Sequence, residues 1–387
     1  MKIILLTLLR TFIHPFQDWR RSATFFGIIL GCFGFSLVNV TSAYDLGGEG
    51  LWSLLSYFMP ALLFSGFVLW PLLYLGFSTI DSLLWRVFIL IAQTLTLALF
   101  LNWSHEPLIQ GFAAAILMAP FWTAFHIAMV QNTTANNRGF EVSLAGLLGG
   151  SGSILGTVAY GLLVSHGLAT AAVIIALIAM LSGTILLLLA SQRQINGSVQ
   201  TFMQEAQRIM SQNPQLMKRL ASLGLFDAPG FTMAALMHTL NFSVATISAI
   251  LASRILSEFL LTPLVGHLAH NHRNKGFKIG VTIIGLAWLF LCLSPQNALA
   301  FLIFLISSAM GSKVAGNSVN TALYETQTYA SMMLAEFLLA VGRGLGLLLL
   351  LPILYFDSQS YMLAVVITAA GLFFIDGRFK HHLTNSR

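Results

Sequence analysis

Charged side chains inside long apolar segments are the residues most able to do chemistry in this chain. Glu336 and Arg343 lie seven residues apart in the apolar segment Met333–Phe356, so about two helical turns separate them on one helix face. A charge near the centre of a membrane helix costs about 2.5 to 3.5 kcal/mol on insertion scales. Such a residue is tolerated where it faces a cavity or a partner. Both are therefore candidates for binding a solute or carrying a proton.

Three further charges lie in neighbouring apolar segments. Arg254 and Glu258 are one helical turn apart, and Lys313 lies in the segment that precedes Glu336. Counting about 1.5 Å per residue along each helix places Glu336 at a depth close to that of Lys313, and Glu258 close to that of Arg343. We therefore predict those two ion pairs. The alternative is that the charges are structural and only hold helices together.

A polar stripe accompanies Lys313 on its helix. Its members follow one another at spacings of three or four residues, which places them on one helix face: Lys313, Asn317, Asn320 and Tyr324. We predict that the first three bind substrate together with Arg254 and Arg343. The alternative is that the stripe forms hydrogen bonds between helices.

Carboxylates held between a basic partner and a poorly hydrated cavity can change protonation as access changes. Glu258 and Glu336 are therefore the predicted proton carriers, with His238 as a third candidate whose alternative role is packing. The charges Arg254, Lys313 and Arg343 outnumber the two carboxylates by one. This spare cation favours an anionic or zwitterionic solute, whereas counting Asp227 with the carboxylates would cancel the excess.

The composition is that of a polytopic membrane protein. The chain has 387 residues, of which 57% are hydrophobic and only 8% are charged, against about 25% charged in typical soluble domains. Cys32 and Cys292 lie in apolar blocks, so no disulfide framework is indicated. The net charge of +6 comes from basic residues in short loops, which argues against a nucleic-acid partner and for contact with the lipid bilayer.

The apolar blocks predict an all-α chain with twelve transmembrane helices in two groups of six. The candidate spans are 23–43, 51–76, 82–103, 107–130, 141–165, 168–190, 219–240, 243–269, 277–296, 298–323, 329–356 and 358–376. This layout divides the chain into an N-terminal cytoplasmic or interfacial segment (1–22), an N-terminal half (23–190), a cytoplasmic linker (191–218), a C-terminal half (219–376) and a cytoplasmic tail (377–387).

The basic residues orient this layout. If the N-terminus is cytoplasmic, fifteen of the nineteen Lys and Arg residues fall in cytoplasmic segments and none in the outside loops, as the positive-inside rule requires. We therefore expect both termini in the cytoplasm, and a bacterial inner membrane as the location. We expect a monomer, although the sequence leaves the oligomeric state open.

Two halves of six spans joined by a basic linker resemble the major facilitator superfamily. The loop "PLVGHLAHNHRNKG" is similar to the family's signature Gly-x-Leu-Ala-Asp-Arg-x-Gly-Arg-Lys at Gly266 and Lys275, with His270 at the acidic position. Asp81 lies in the weaker equivalent of the first half. The resemblance implies that these four residues gate the cytoplasmic side. It also implies a central cavity lined by eight helices, and the charged spans fall among those eight.

The segment Arg138–Gly161 looks like the family's fifth helix, whose small residues let helices approach closely. Those residues are Gly149, Gly152, Ser153 and Gly156. The Gly-Pro-x-x-Gly-Gly pattern of drug–proton antiporters is missing, because this helix contains no proline.

The predicted function is secondary active transport of a small polar, anionic or zwitterionic solute, with proton coupling. No phosphate-binding loop, metal motif or clustered nucleophile and base is present, so we predict no cofactor, no metal and no enzymatic activity. The alternatives are a proton-driven exporter of amphipathic compounds, a lipid flippase and a non-transporting membrane receptor.

Overall fold

The computed structural model is helical throughout the residues that it describes, and these contain no strand. They are 16, 18–80, 82–102, 106–133, 137–191, 198–212, 214, 217–225, 228, 240, 261–268, 271–293, 297–325 and 328–378. Most of the two predicted spans 219–240 and 243–269 lies outside this set, as do most of the segments 1–22 and 377–387.

Six long helices precede the linker: α1 Trp19–Glu49, α2 Leu51–Thr79, α3 Ser82–Asn102, α4 Pro107–Asn132, α5 Arg138–Ser165 and α6 Ala169–Ala190. We call them the N-terminal helices. The linker contains α7 Val199–Gln212, and helical residues 217–225 and 261–268 follow. The C-terminal helices are α8 Arg273–Leu293, α9 Ala298–Glu325, α10 Tyr329–Phe356 and α11 Ser358–Arg378.

Ten of the predicted spans coincide with a helix, and seven helical segments in the described residues are long and apolar enough to cross a membrane. Two local differences stand out. Helix α1 begins at Trp19, inside the segment predicted to be interfacial. The polar linker contains the amphipathic helix α7, which buries Phe202, Ala206 and Ile209. Their spacing of four and three residues places them on one helix face.

Local side-chain caps start the last two helices. The Thr328 hydroxyl accepts a hydrogen bond from the Ser331 amide (3.2 Å) at the start of α10. At the start of α11, the Asp357 carboxylate accepts hydrogen bonds from the amides of Gln359 (3.1 Å) and Ser360 (3.0 Å) and from the Ser360 hydroxyl (2.6 Å). The bonds from Ser360 and Gln359 lower the pKa of Asp357, because they stabilise the charged carboxylate.

Helix α2 widens in its middle, where Pro60–Leu69 has π-helical hydrogen bonding. The Ser65 hydroxyl donates to the carbonyls of Ala61 (2.5 Å) and Leu62 (3.0 Å), which satisfies acceptors in the altered ladder. In the same segment, a Cβ atom on Gly66 would lie 2.4 Å from the Cβ of Ala340. Helices α2 and α10 therefore pack in close contact here.

The small residues of α5 make the close helix contact that was predicted for them, and the partner, which the sequence did not identify, is α1. A Cβ atom on Gly152 would lie 2.4 Å from the Ile29 carbonyl oxygen, and one on Gly156 would lie 2.3 Å from that of Phe33. Only glycine leaves room for a neighbouring backbone at these distances. The small residues therefore determine the spacing of this helix pair.

A polar network joins the N-terminal helices at the end predicted to be cytoplasmic. Arg21 of α1 donates from Nε to the Asn132 carbonyl of α4 (2.9 Å), and its guanidinium lies 3.9 Å from the Glu141 carboxylate of α5. The Asn132 side chain donates to the Ala190 carbonyl of α6 (3.2 Å). Four of these six helices are thus tied together at one end.

Filling the α1–α5 contact should destabilise the protein. We expect Gly152→Ala to lower the free energy of unfolding by about 1–3 kcal/mol, because the new methyl group forces two backbones apart. The matched control is Gly371→Ala, since nothing lies within 4 Å of the Cβ position there. Thermal unfolding of the purified protein measures both changes, and equal melting temperatures would contradict the assigned helix contact.

Candidate functional site

The candidate site lies where the N-terminal and C-terminal helices meet. Glu336 of α10 is buried and faces His126 of α4, with 2.5 Å between Oε1 and Nε2. The other ring nitrogen of His126, Nδ1, lies 2.6 Å from the Tyr324 hydroxyl of α9. We call these three residues the Tyr324–His126–Glu336 cluster. It connects one N-terminal helix to two C-terminal helices through hydrogen bonds.

The predicted pairing of Glu336 with Lys313 is wrong, because Glu336 contacts His126 instead. Lys313 is half-buried on α9, eleven residues before Tyr324, or about 16 Å along the helix axis. The prediction compared depths within the membrane, and depth does not say which neighbouring helix a side chain faces. It also considered only Lys and Arg as partners for a carboxylate, although histidine can fill that role.

Apolar and aromatic residues surround the cluster. The rings of Trp122 and Phe125 lie 6.2 Å and 5.4 Å from the His126 ring, measured between centroids. The fully buried hydroxyl of Tyr74 on α2 is within electrostatic reach of Glu336. Charges interact strongly in such a poorly hydrated environment. A charge in the cluster therefore interacts strongly with the groups around it.

Other side chains close the same end of the helix interface. Gln131 of α4 donates to the Tyr329 hydroxyl of α10 (2.9 Å). A Cβ atom on Gly266 would lie 2.7 Å from a ring carbon of Phe140 on α5. Together with the cluster, these contacts lie toward the helix ends predicted to be cytoplasmic. The described helices thus pack closely at that end.

The polar stripe of α9 faces the N-terminal helices. Asn317 is buried and donates from Nδ2 to the Ser143 hydroxyl of α5 (3.0 Å). This is the hydrogen-bonding role that we gave as the alternative to substrate binding. Tyr324, at the end of the stripe, bonds to His126. Both contacts run between the two helix groups, so the stripe belongs to the interface.

The remaining predicted site residues differ in their exposure, and several of them lie outside the described residues. Arg343 of α10 and Asn320 of α9 are half-buried, and Lys275 is exposed near the start of α8. Their proposed roles remain predictions. The other predicted site residues lie outside the described set: Asp81, His238, Arg254, Glu258 and His270.

Sequence reasoning missed His126, although a signal was present. The residue is the sole histidine in the apolar helix α4 and directly follows the segment Phe121–Phe125, in which three of five residues are aromatic. A histidine in a membrane helix is itself a candidate for function, yet only Lys, Arg, Asp and Glu were counted as charges. Within the described part of the chain, no group of three or more His, Cys, Asp or Glu side chains could hold a metal ion.

A double-mutant cycle should detect the direct contact. We expect Glu336→Gln and His126→Asn to show a coupling energy of about 0.5–3 kcal/mol, because each change alone leaves the other buried polar group poorly paired. The control cycle, Glu336→Gln with Lys313→Gln, should be additive to within about 0.5 kcal/mol. Unfolding in detergent at constant pH measures both cycles. Stronger coupling to Lys313 than to His126 would contradict the observed contact.

Comparison with known proteins adds a fold assignment. No protein-family model matches the sequence, and no curated protein matches it. Among solved structures, the human organic anion transporter MFSD10 (TETRAN) is 14% identical with a TM-score of 0.69, covering 93% of this chain and 100% of its own. The Escherichia coli fucose:proton symporter FucP is 14% identical with a TM-score of 0.62, covering 95% and 99%.

A peptide transporter of the POT family is also similar, at 11% identity and a TM-score of 0.63, covering 96% of this chain and 99% of its own. Identities this low support the fold and leave substrates open. The chain therefore shares the helical fold of these transporter structures, as its resemblance to the major facilitator superfamily implied.

Proposed function

We propose that the chain is a proton-coupled secondary transporter that moves a small anionic or zwitterionic solute by alternating access. Twelve helices in two halves would enclose the solute site, with the N-terminal and C-terminal helices as the two halves. The multi-pass helical fold and its likeness to transporters across more than nine-tenths of the chain support this proposal. The observation that carries it is the buried Tyr324–His126–Glu336 cluster at the interface.

Alternating access requires the contacts at one end of the interface to separate while those at the other end form. The His126–Glu336 contact is among the bonds that must break when the cytoplasmic side opens. A hydrogen bond to a charged carboxylate is about twice as strong as one between neutral groups. Protonation of Glu336 therefore weakens the contact and favours opening, which links a proton to the conformational cycle.

The proposal of an anionic solute rests on the basic residues. Arg343 lies two helical turns beyond Glu336 on α10, and Lys313 is half-buried on α9. An Arg guanidinium can bind a carboxylate in a bidentate manner, whereas Lys acts as a point charge. The organic anion transporter among the similar structures is consistent with this class of solute.

A proton-driven exporter of amphipathic compounds is the second candidate. The chain contains 30 phenylalanines, and several of them lie at the helix interface, including the Phe67–Phe337 pair with ring centroids 4.9 Å apart. Aromatic side chains at an interface can bind apolar molecules. A lipid flippase is a further alternative, which would require a lateral opening between helices.

Proton flux measurements should test the coupling. In proteoliposomes with a pH-sensitive dye inside, external succinate should change the internal pH through the wild-type protein. Glu336→Gln should reduce this flux at least about 10-fold while keeping exchange of labelled succinate, because an amide cannot carry the proton. The matched control is Glu205→Gln on the linker helix α7, which should transport normally.

The alternatives give different results in the same assay. Proton flux on addition of ethidium and not succinate would favour the exporter. Wild-type flux through Glu336→Gln would contradict a coupling role for this carboxylate. L-fucose and dialanine serve as neutral and zwitterionic probes for the other solute classes.

Orientation in the membrane can be tested by cysteine labelling. We expect Gln200→Cys on α7 and Asn385→Cys in the tail to react with an impermeant maleimide only after permeabilisation, because the basic loops place both in the cytoplasm. Glu106→Cys, at the start of α4, should react in intact cells and serves as the control. The reverse pattern would contradict the predicted orientation.

A further inference from the structure

We propose that Tyr324 is a positioning residue that holds His126 neutral, and so directs the coupling proton to Glu336. This inference rests on the proposed function, because it concerns the proton of the same site. It starts from the order of the three groups. The Tyr324 hydroxyl contacts Nδ1 of His126, and Nε2 of the same ring contacts Glu336. One imidazole therefore separates a phenol from a carboxylate.

The direction of the first hydrogen bond follows from the buried position of Tyr324. Only 1% of this residue is exposed, and the described part of the chain offers its hydroxyl no hydrogen-bond partner other than His126. If Nδ1 carried a proton and donated it, the O–H of Tyr324 would be left as a buried donor without an acceptor. Such unsatisfied donors are strongly disfavoured. The hydroxyl therefore donates to Nδ1.

This direction determines the protons on the ring. Because Nδ1 accepts, the single proton of the neutral imidazole lies on Nε2. Nε2–H then donates to the Glu336 carboxylate at 2.5 Å. A second proton on the ring would have to occupy Nδ1, which would then donate to the Tyr324 oxygen and leave the O–H of Tyr324 without an acceptor among the described residues. A proton that enters the cluster is consequently accepted by the carboxylate of Glu336.

Within the part of the chain that the structure describes, the other titratable or charged groups on the surrounding helices already have partners or lie farther away. Arg21 binds Asn132 and Glu141, Arg86 donates to the Ser191 carbonyl (3.0 Å), and Tyr329 accepts from Gln131. Lys313 and Arg343 are about 16 Å and 10 Å away along the axes of α9 and α10. Tyr74 is the remaining group near Glu336, and its phenol is held in a fully buried position on α2.

Removing the hydroxyl should change the pH response in a defined direction. In Tyr324→Phe, Nδ1 loses its donor and becomes free to accept a proton. An imidazolium beside Glu336 would stabilise the charged carboxylate, and with it the contact between the helix groups. The pH midpoint for opening the cytoplasmic side should therefore fall by about one unit or more, which is about a 10-fold change in proton concentration.

The midpoint can be measured without any substrate. Spin labels at Ile80→Cys, at the end of α2, and Asn271→Cys, before α8, report the distance between the two helix groups at exposed positions. The native Cys32 and Cys292 are replaced by alanine. Distance distributions in lipid nanodiscs between pH 4 and pH 9 should show separation of the labels as the pH falls. Glu336→Gln should remove this response.

Tyr361→Phe on α11 is the matched control, because it removes the hydroxyl of a buried tyrosine whose ring contacts Trp288 (5.9 Å between centroids) and which is not part of the Tyr324–His126–Glu336 cluster. It should leave the midpoint unchanged, which excludes a general effect of losing a phenol. If Tyr324→Phe titrates like the wild type while Glu336→Gln abolishes the response, the role of Tyr324 is overturned and the coupling role of Glu336 stands. If the wild-type distances do not depend on pH, both proposals fail.

Should Tyr324→Phe fail to fold, His126→Gln provides a second test. Glutamine can still donate to Glu336 but cannot become an imidazolium. If Tyr324 normally keeps the ring neutral, the midpoint of His126→Gln should stay within about half a unit of the wild-type value, well below a one-unit shift. A midpoint that moves by more than one unit would show that His126 is charged in the closed state and would overturn the inference.

Discussion

The contact between His126 and Glu336 is the interaction on which the arrangement of the two helix groups depends. A buried carboxylate needs a partner, and this one finds it on a helix of the other group. The consequence is that the closed interface and the charge of one residue are coupled. The hydrogen bonds of Gln131 with Tyr329 and of Asn317 with Ser143 also connect the two helix groups, but neither involves a carboxylate. Among these three described bonds between the groups, the His126–Glu336 contact is therefore the one whose strength depends on the protonation of a carboxylate.

The N-terminal helices are also held to one another by contacts that do not involve the C-terminal helices. The α1–α5 pair packs backbone against backbone at Gly152 and Gly156, and Arg21 ties α1 to α4 and α5 at one end. Close-packed helices of this kind transmit displacement because they have little room to adjust internally. Both the small side chains of α5 and the polar network around Arg21 therefore hold the N-terminal helices together.

The linker helix α7 lies beside the same interface. It buries Phe202, Ala206 and Ile209 and packs against both α2 and α10. Helix α2 belongs to the N-terminal helices and α10 to the C-terminal ones, so the linker contacts both groups at the end where the cluster lies. The polar composition of the linker does not predict this packing. The spacing of its three apolar residues on one helix face does indicate it.

The amino-acid sequence by itself determined the helices and their approximate limits. Apolar runs of about twenty residues are long enough to cross a bilayer, and backbone groups in lipid must bond within the helix, so each run has one available structure. For this reason, ten predicted spans coincide with a helix, and α10 matches its predicted limits of 329–356. The small residues of α5 likewise identified a close helix contact. The sequence also marked Glu336 as a residue that needs a partner.

Only the tertiary structure decided which partner that is. Helical spacing gives the depth of a side chain, but the rotation of each helix and its choice of neighbour depend on packing across the whole bundle. Glu336 and Lys313 lie on consecutive helices and yet do not pair, whereas His126, more than two hundred residues away in the chain, meets Glu336 directly. The role proposed for Tyr324 depends on tertiary structure in the same way, because only the packing of α9 against α4 brings its hydroxyl to the ring of His126. Contacts between residues distant in sequence arise from the packing of helices, and local pattern carries little information about them.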